Sequence, residues 1–305
     1  MNKPQEAPDA LLRRHSWTVL RPLAVSLGGD ERSLVRGPGM EISEVREYQP
    51  GDDVRHIDWN ITARSDRVYV RESDTERALD VWLLLDLSGS VDWGTADCTK
   101  RSGAREFAAV AGRLLGGHGN RLGMLMFAER PLGIVPPGAG HAHLLRALGS
   151  IGDVPRQEAR AVTDLAGALR HAGSVIRRRA LVLVVSDFLA PNGWQKELSK
   201  LAARHEVVAV RLHDPREAEL PDVGFITLED PETGCQLTVD TGDRRLRERF
   251  QQAAQEQASR VANDLTACGV DGLVLGTDTP LLPELARFLH LRRARKQRRG
   301  AALAS

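Results

Sequence analysis

The chain has 305 residues, a length that suits one large domain or one large domain with a smaller one. Apolar residues make up 42% and charged residues 27%, which excludes a wholly disordered or collagen-like chain. The formal net charge is +1 and aromatic residues make up only 4%, so neither a polycation for nucleic acid nor an extended base-stacking platform is indicated.

The first part of the chain is predicted to contain an N-terminal extension, 1–27, followed by a small β-rich lobe, 28–76. Turn-forming Gly, Pro and Asp residues recur in the lobe, as in Pro50-Gly51-Asp52. Between the turns, the segments 41–48 and 67–72 have the length and composition of strands. The lobe is therefore expected to be built from short strands rather than helices.

From 77 to 291, strands and helices are predicted to alternate. The segment 79–85 is an almost unbroken apolar stretch, typical of a central strand covered on both faces. Most of the remaining strand segments are separated by segments whose apolar residues have helical spacing. The strand segments are 122–127, 132–135, 181–185, 207–212 and 273–275. This alternation predicts an α/β fold with a doubly wound, mostly parallel sheet, in which 132–135 is an edge strand. A hairpin insertion is expected near 223–241, a last helix at 282–291, and a basic flexible tail at 292–305.

The cellular compartment is predicted from what the sequence lacks. The first residues have no apolar run or cleavage motif of a signal peptide, and no apolar run approaches the ~18 residues of a membrane span. The three cysteines are odd in number and lack the paired spacing of zinc sites, which indicates reduced thiols. We therefore expect a cytoplasmic protein without a membrane span.

Polar side chains follow two of the predicted buried strands and start one helix. Asp86, Ser88 and Ser90 follow the first strand, Asp187 follows the strand 181–185, and Thr163 precedes a helix. Because ligands of open α/β sheets bind beyond the carboxyl ends of the strands, these side chains are expected to converge there. Hard oxygen ligands of this kind suit Mg²⁺, Mn²⁺ or Ca²⁺ rather than zinc.

Helix capping is the alternative for the same residues. Asp and Ser after a strand often accept hydrogen bonds from the first amides of the next helix, which would explain Asp86 and Ser88 without a metal. Asp164 is predicted to start a helix rather than to bind an ion.

Taken in order and context, Asp86, Ser88, Ser90, Thr163 and Asp187 resemble the metal-ion-dependent adhesion site of von Willebrand factor A-like domains. The segment 47–59, EYQPGDDVRHIDW, is similar to the signature of the domain-of-unknown-function-58 family, and Val70-Arg71-Glu72 fits it as well. The resemblance covers about residues 30 to 290. Many relatives carry transmembrane segments ahead of this region, and we expect none in this sequence.

The resemblance implies a Rossmann-type von Willebrand A-like domain that binds a divalent ion and acts as a non-catalytic protein-binding adaptor. The implied partner is an AAA+ ATPase of MoxR type, or a client protein that supplies an acidic ligand, in the maturation or remodelling of another complex. One rival hypothesis is a Mg²⁺-dependent hydrolase using the same carboxylates, which lacks a clear general base. Another is an arginine-rich nucleic-acid-binding scaffold.

A second candidate surface is the charged turn in the N-terminal lobe. The structural interpretation is a salt-bridged turn that packs the lobe onto the main domain, with Trp59 as its apolar anchor. The functional interpretation is a partner-binding surface; catalysis by a His–Asp pair is its extreme form. The residues concerned are Asp52, Asp53, Arg55, His56 and Asp58.

Overall fold

The computed structural model describes residues 44–49, 54, 57–65, 67–72, 79–94, 98–116, 119–155, 162–229 and 235–303. The strands in these ranges are β1 (Glu44–Glu47), β2 (Tyr69–Glu72), β3 (Asp80–Asp86), β4 (Arg121–Phe127), β5 (Pro131–Gly138), β6 (Ala180–Ser186), β7 (Glu206–His213), β8 (Phe225–Glu229), β9 (Gln236–Asp240) and β10 (Asp271–Gly276). The helices are α1 (Trp59–Thr62), α2 (Lys100–Leu115), α3 (His141–Asp153), α4 (Leu165–Val175), α5 (Trp194–Arg204), α6 (Arg244–Ala267) and α7 (Leu281–Leu303).

Six strands form the central sheet, in the order β10-β7-β6-β3-β4-β5. All neighbouring pairs are parallel except β4 and β5, which are antiparallel. Every residue of β3 and β6 is buried, as their near-continuous apolar sequences predict for strands in the middle of a covered sheet. The predicted mostly parallel α/β sheet is confirmed, with the 132–135 segment on an edge strand.

Helices cover both faces of this sheet. On one face, Val81, Leu83 and Leu85 of β3 belong to a core shared with α2, α3 and α7. On the other face, Trp82 and Leu84 belong to a core shared with α4, α5 and α6. Full burial of one such Leu side chain stabilises the folded state by about 1.5–3 kcal/mol. Because both cores contain many such side chains, the strands and their ends are held in fixed positions.

Two smaller antiparallel pairs lie outside the central sheet. β1 pairs with β2 inside the predicted N-terminal lobe, and β8 pairs with β9 inside the segment expected to form a hairpin. The predicted extension 1–27 and much of the lobe lie outside the described residues. None of the described helices combines the length and apolarity needed to cross a bilayer.

The last helix is longer than the sequence predicts. α7 continues to Leu303, so most of the segment 292–305, expected to be a flexible tail, is helical. The physical reason lies at Arg292, which is 4% exposed. Its guanidinium pairs with Glu206 of β7 and, at 3.0 Å, with Asp271 of β10. These contacts hold the helix against the amino ends of two strands beyond residue 291.

Candidate functional site

Asp86 ends β3 at the carboxyl edge of the sheet and is fully buried. The Ser88 amide donates a hydrogen bond to Asp86 Oδ1 at 3.0 Å. The Ser186 hydroxyl, at the end of the neighbouring strand β6, donates to Asp86 Oδ2 at 2.6 Å. Both carboxylate oxygens therefore have fixed donors, which sets the orientation of the side chain.

Ser88 and Ser90 lie in the turn that follows β3. Their hydroxyl oxygens are 3.1 Å apart, and the two residues are 1% and 6% exposed. The turn is closed by the Val91 amide, which donates to the Ser88 carbonyl at 3.1 Å. The helix that follows is capped instead by Thr99, whose hydroxyl accepts from the Ser102 amide at 3.2 Å. The capping alternative for Asp86 and Ser88 is therefore wrong.

Thr163 lies at the same edge of the sheet, beside the end of β4. The amide of its neighbour Asp164 donates to the carbonyl of Ala128, the residue that follows β4, at 3.0 Å. Thr163 is 3% exposed. Asp164 caps α4 by accepting from the Gly167 amide at 2.7 Å, which confirms the prediction that it starts a helix.

Asp187 follows β6 directly and is 3% exposed. Its Oδ1 accepts a hydrogen bond from the Leu189 amide at 3.2 Å. The next residue, Phe188, has φ +57°, a left-handed conformation that costs a bulky side chain about 1–3 kcal/mol. It is held by an edge-to-face contact with Trp194, at 5.4 Å between ring centroids, and by the hydrogen bond that its amide donates to the Ser186 hydroxyl oxygen.

Lys100 is a member of this site that the sequence analysis did not identify. Its side chain is 1% exposed, and its Nζ donates to Asp187 Oδ2 at 2.9 Å and to Glu217 Oε1 at 2.5 Å. Burial disfavours the charged form, but the two carboxylates outweigh it and raise the pKa of Lys100 above its usual value. A cation at the first position of a helix is disfavoured by the helix dipole, and this was the available sequence signal.

The electrostatics of the cluster are those of carboxylates crowded in a buried space. Burial, and then the charge of Asp187, raise the pKa of Asp86 to about 7, against the hydrogen bonds from Ser186 and Ser88. Burial lowers the pKa of Arg211 on β7, against the charges of Glu217 and Asp187, which act to raise it. When Asp86 is ionised, three carboxylates and two cations leave one net negative charge at this edge.

The donor set suits a hard cation. Two carboxylates and three hydroxyls supply only oxygen atoms, the chemistry that Mg²⁺, Mn²⁺ and Ca²⁺ prefer. Among the residues described above, no group of three or more His, Cys, Asp or Glu side chains could hold a metal. A cation at this edge would therefore depend on the hydroxyls and on water in addition to the two carboxylates. The set consists of Asp86, Ser88, Ser90, Thr163 and Asp187, here called the oxygen cluster.

The charged turn of the N-terminal lobe is only partly described. Asp52, Asp53, Arg55 and His56 lie outside the described residues. Asp58 is 5% exposed and caps α1, since its Oδ1 accepts from the Ile61 amide at 3.2 Å. Trp59 is 69% exposed, so the expectation that it anchors the lobe by burial is wrong.

The described strands and helices form a three-layer α/β fold, with Asp86, Ser88 and Asp187 buried at the carboxyl edge of its sheet. Residues 44–260 match the family model described as protein of unknown function DUF58. A curated relative, the uncharacterized protein Rv1480 of Mycobacterium tuberculosis, is 41% identical over 286 residues, which cover 93% of this chain and 89% of the relative. The chain belongs to the DUF58 family.

Two solved structures align with this chain at low sequence identity. BatB from Bacteroides thetaiotaomicron is 15% identical with a TM-score of 0.48, and the match covers 72% of this chain and all of BatB. The VWA domain of SpRpn10 is 12% identical with a TM-score of 0.40, and the match covers 69% of this chain and 94% of that domain.

Proposed function

We propose that the protein is a non-catalytic adaptor that binds another protein through a divalent ion held by the oxygen cluster. The observation that carries this proposal is the hydrogen-bonded junction of two adjacent strand ends, Asp86 on β3 and Ser186-Asp187 on β6, with two hydroxyls 3.1 Å apart beside it. When Asp86 is ionised, this carboxylate-rich edge has more negative charge than its own cations neutralise.

The residues divide the work by charge. Ser88, Ser90 and Thr163 offer neutral oxygens, while Asp86 and Asp187 offer charged ones. When bound, Mg²⁺ or Mn²⁺ supplies a coordination position for an acidic side chain of a partner. Binding a divalent ion changes the net charge of the edge from one negative to one positive, which favours an incoming carboxylate.

The partner we propose is an AAA+ ATPase of MoxR type or one of its client proteins. This part of the proposal rests on the resemblance of the chain to its family. The joint role would be the maturation or remodelling of another complex, with the acidic group donated by the ATPase or by the client.

Isothermal calorimetry with the purified MoxR-type ATPase tests this function. Binding is expected in Mg²⁺ and is expected to be lost in EDTA, and Asp86→Ala and Ser88→Ala are expected to abolish it in Mg²⁺. Asp153→Asn, an exposed carboxyl on α3, serves as the matched control and should bind like the wild type. Equal affinity with and without the ion would refute the metal-dependent role.

A further inference from the structure

Lys100 places a cation directly on one carboxylate of the oxygen cluster, Asp187. Its ammonium group is buried and bridges Asp187 Oδ2 and Glu217 Oε1. We propose that Lys100 is a tethered counter-cation that competes with the divalent ion for Asp187, and that it moves fully onto Glu217 when the ion binds. This inference rests on the proposed function, because it takes Asp187 as a ligand of the ion.

The backbone at Lys100 is held in place, so the competition involves only the side chain. Its amide donates to the Trp93 carbonyl at 3.0 Å, and the Thr99 cap fixes the start of α2 beside it. A positive side chain here works against the helix dipole and loses its hydration. Only the carboxylates compensate for these costs, so the position of the ammonium group depends on which carboxylate is available.

Glu217 is the second acceptor for the Lys100 ammonium group, and its side chain is held in place by other contacts. It ends the short 3₁₀ turn Pro215–Glu217, and its Oε2 accepts from the Asp214 amide at 3.1 Å. Asp214 is itself fixed by the Thr277 hydroxyl, which donates to its Oδ2 at 2.7 Å. Glu217 Oε1 therefore stays in place, and Lys100 keeps one fixed, partly buried partner after Asp187 turns to an ion.

The charge count gives the direction of the effect. The charges of Asp187 and Glu217 act on both Lys100 and Arg211, and the charge of Asp187 also acts on Asp86. Removing the ammonium makes the edge more negative by one charge and frees Asp187, so a divalent ion should bind more tightly. Removing the charge of Glu217 leaves Lys100 with Asp187 alone, so the ion should bind more weakly.

Mn²⁺ alone is the probe for the test, with free Mn²⁺ measured by electron paramagnetic resonance during titration of the full chain. Lys100→Met is expected to lower the dissociation constant by on the order of tenfold. Glu217→Gln is expected to raise it by a similar factor. Lys196→Met, an exposed lysine on α5, is the matched control and should leave it unchanged.

The outcomes separate this inference from the proposed function. If the wild type binds Mn²⁺ and folded Lys100→Met binds it equally or more weakly, the counter-cation role is overturned while the metal site stands. If Lys100→Met does not fold by circular dichroism, Glu217→Gln decides, and unchanged or tighter Mn²⁺ binding overturns the inference. If neither the wild type nor Lys100→Met binds Mn²⁺, both proposals fail. If Lys100→Met binds Mn²⁺ and the wild type does not, the inference is supported in its strongest form.

Discussion

Ser186 and Asp86 end two neighbouring parallel strands and are joined by a hydrogen bond of 2.6 Å, donated by the serine hydroxyl to the carboxylate. The same hydroxyl oxygen accepts from the Phe188 amide at 3.1 Å. The Ser186 side chain therefore connects the end of β3 to the turn after β6 that carries Asp187. Neither group is accessible to solvent, so no water replaces the hydroxyl without rearrangement.

Ser186→Ala is expected to destabilise the protein by about 1–3 kcal/mol, because it leaves a buried carboxylate oxygen and a buried amide without their donor and acceptor. Urea unfolding followed by circular dichroism measures the change. Ser174→Ala is the control, since the Ser174 hydroxyl is exposed and bonds only within its own helix. An equal, small effect of both substitutions would show that the Ser186 bond contributes little.

Asp86→Asn is expected to stabilise the protein in EDTA at pH 8. The pKa of Asp86 is raised from 3.8 to about 7 by burial first and by Asp187 second, so the folded state binds this proton more tightly than the unfolded state. Stability is therefore lost as the pH rises through this interval, and the loss is complete above about pH 7. A neutral amide of similar shape removes this loss, but its NH₂ group cannot accept one of the two hydrogen bonds that Asp86 receives. The expected net gain is therefore only about 1–3 kcal/mol.

The same substitution should remove the response to divalent ions. Wild-type protein is expected to melt at a higher temperature when Mn²⁺ is added, because an ion that binds only the folded state stabilises it. Asp86→Asn should show no such rise, and Asp153→Asn should retain it. Differential scanning calorimetry with and without Mn²⁺ measures both effects, and a lower melting temperature of Asp86→Asn in EDTA would contradict the electrostatic account.

The sequence was sufficient to predict the sheet and the residues at its carboxyl edge. Unbroken apolar runs of strand length predict buried strands. The polar residues that directly follow such strands lie at the carboxyl edge of a parallel sheet. Lys100 escaped prediction because its partners Asp187 and Glu217 are 87 and 117 residues away along the chain. The one local signal, a cation at the start of a helix, is too weak to distinguish such a lysine from an ordinary solvated residue.

The length of the last helix was not predicted, because the partners that hold it are also distant along the chain. Arg292 opens a run of basic residues, and charge runs are ordinarily solvated. Its burial depends on Glu206 and Asp271, which are brought together only by the parallel pairing of β7 and β10.

His205→Leu is expected to reduce the loss of folding stability that occurs as the pH falls below about 6.5. His205 is 5% exposed, and neither ring nitrogen has a hydrogen-bond partner within the described part of the chain. Burial, and then the charge of Arg204, lower its pKa below the ordinary 6.5. As the pH falls through 6.5, the unfolded chain takes up this proton before the folded protein does, so stability is lost.

Melting temperatures at pH 7 and pH 5 measure this contribution. The decrease between the two should be smaller in His205→Leu than in the wild type by on the order of 2–4 °C. His141→Gln is the control, because His141 is exposed at the start of α3 and its replacement should leave the decrease unchanged. An unchanged decrease in His205→Leu would show that the buried imidazole does not contribute to acid sensitivity.

Arg292→Met is expected to loosen the end of α7 and to destabilise the whole domain. The arginine side chain is 5% exposed, but Glu206 and Asp271 are 21% and 30% exposed, so water compensates part of the loss. The expected cost is about 1–3 kcal/mol, below the ~3–5 kcal/mol of a fully buried pair that loses one partner. Arg287→Met is the matched control, since the Arg287 side chain is mostly exposed and its partner Glu284 lies on the same helix. Hydrogen exchange should show faster amide exchange after residue 291 in Arg292→Met only, and equal exchange in both variants would mean that this part of α7 does not depend on the buried guanidinium.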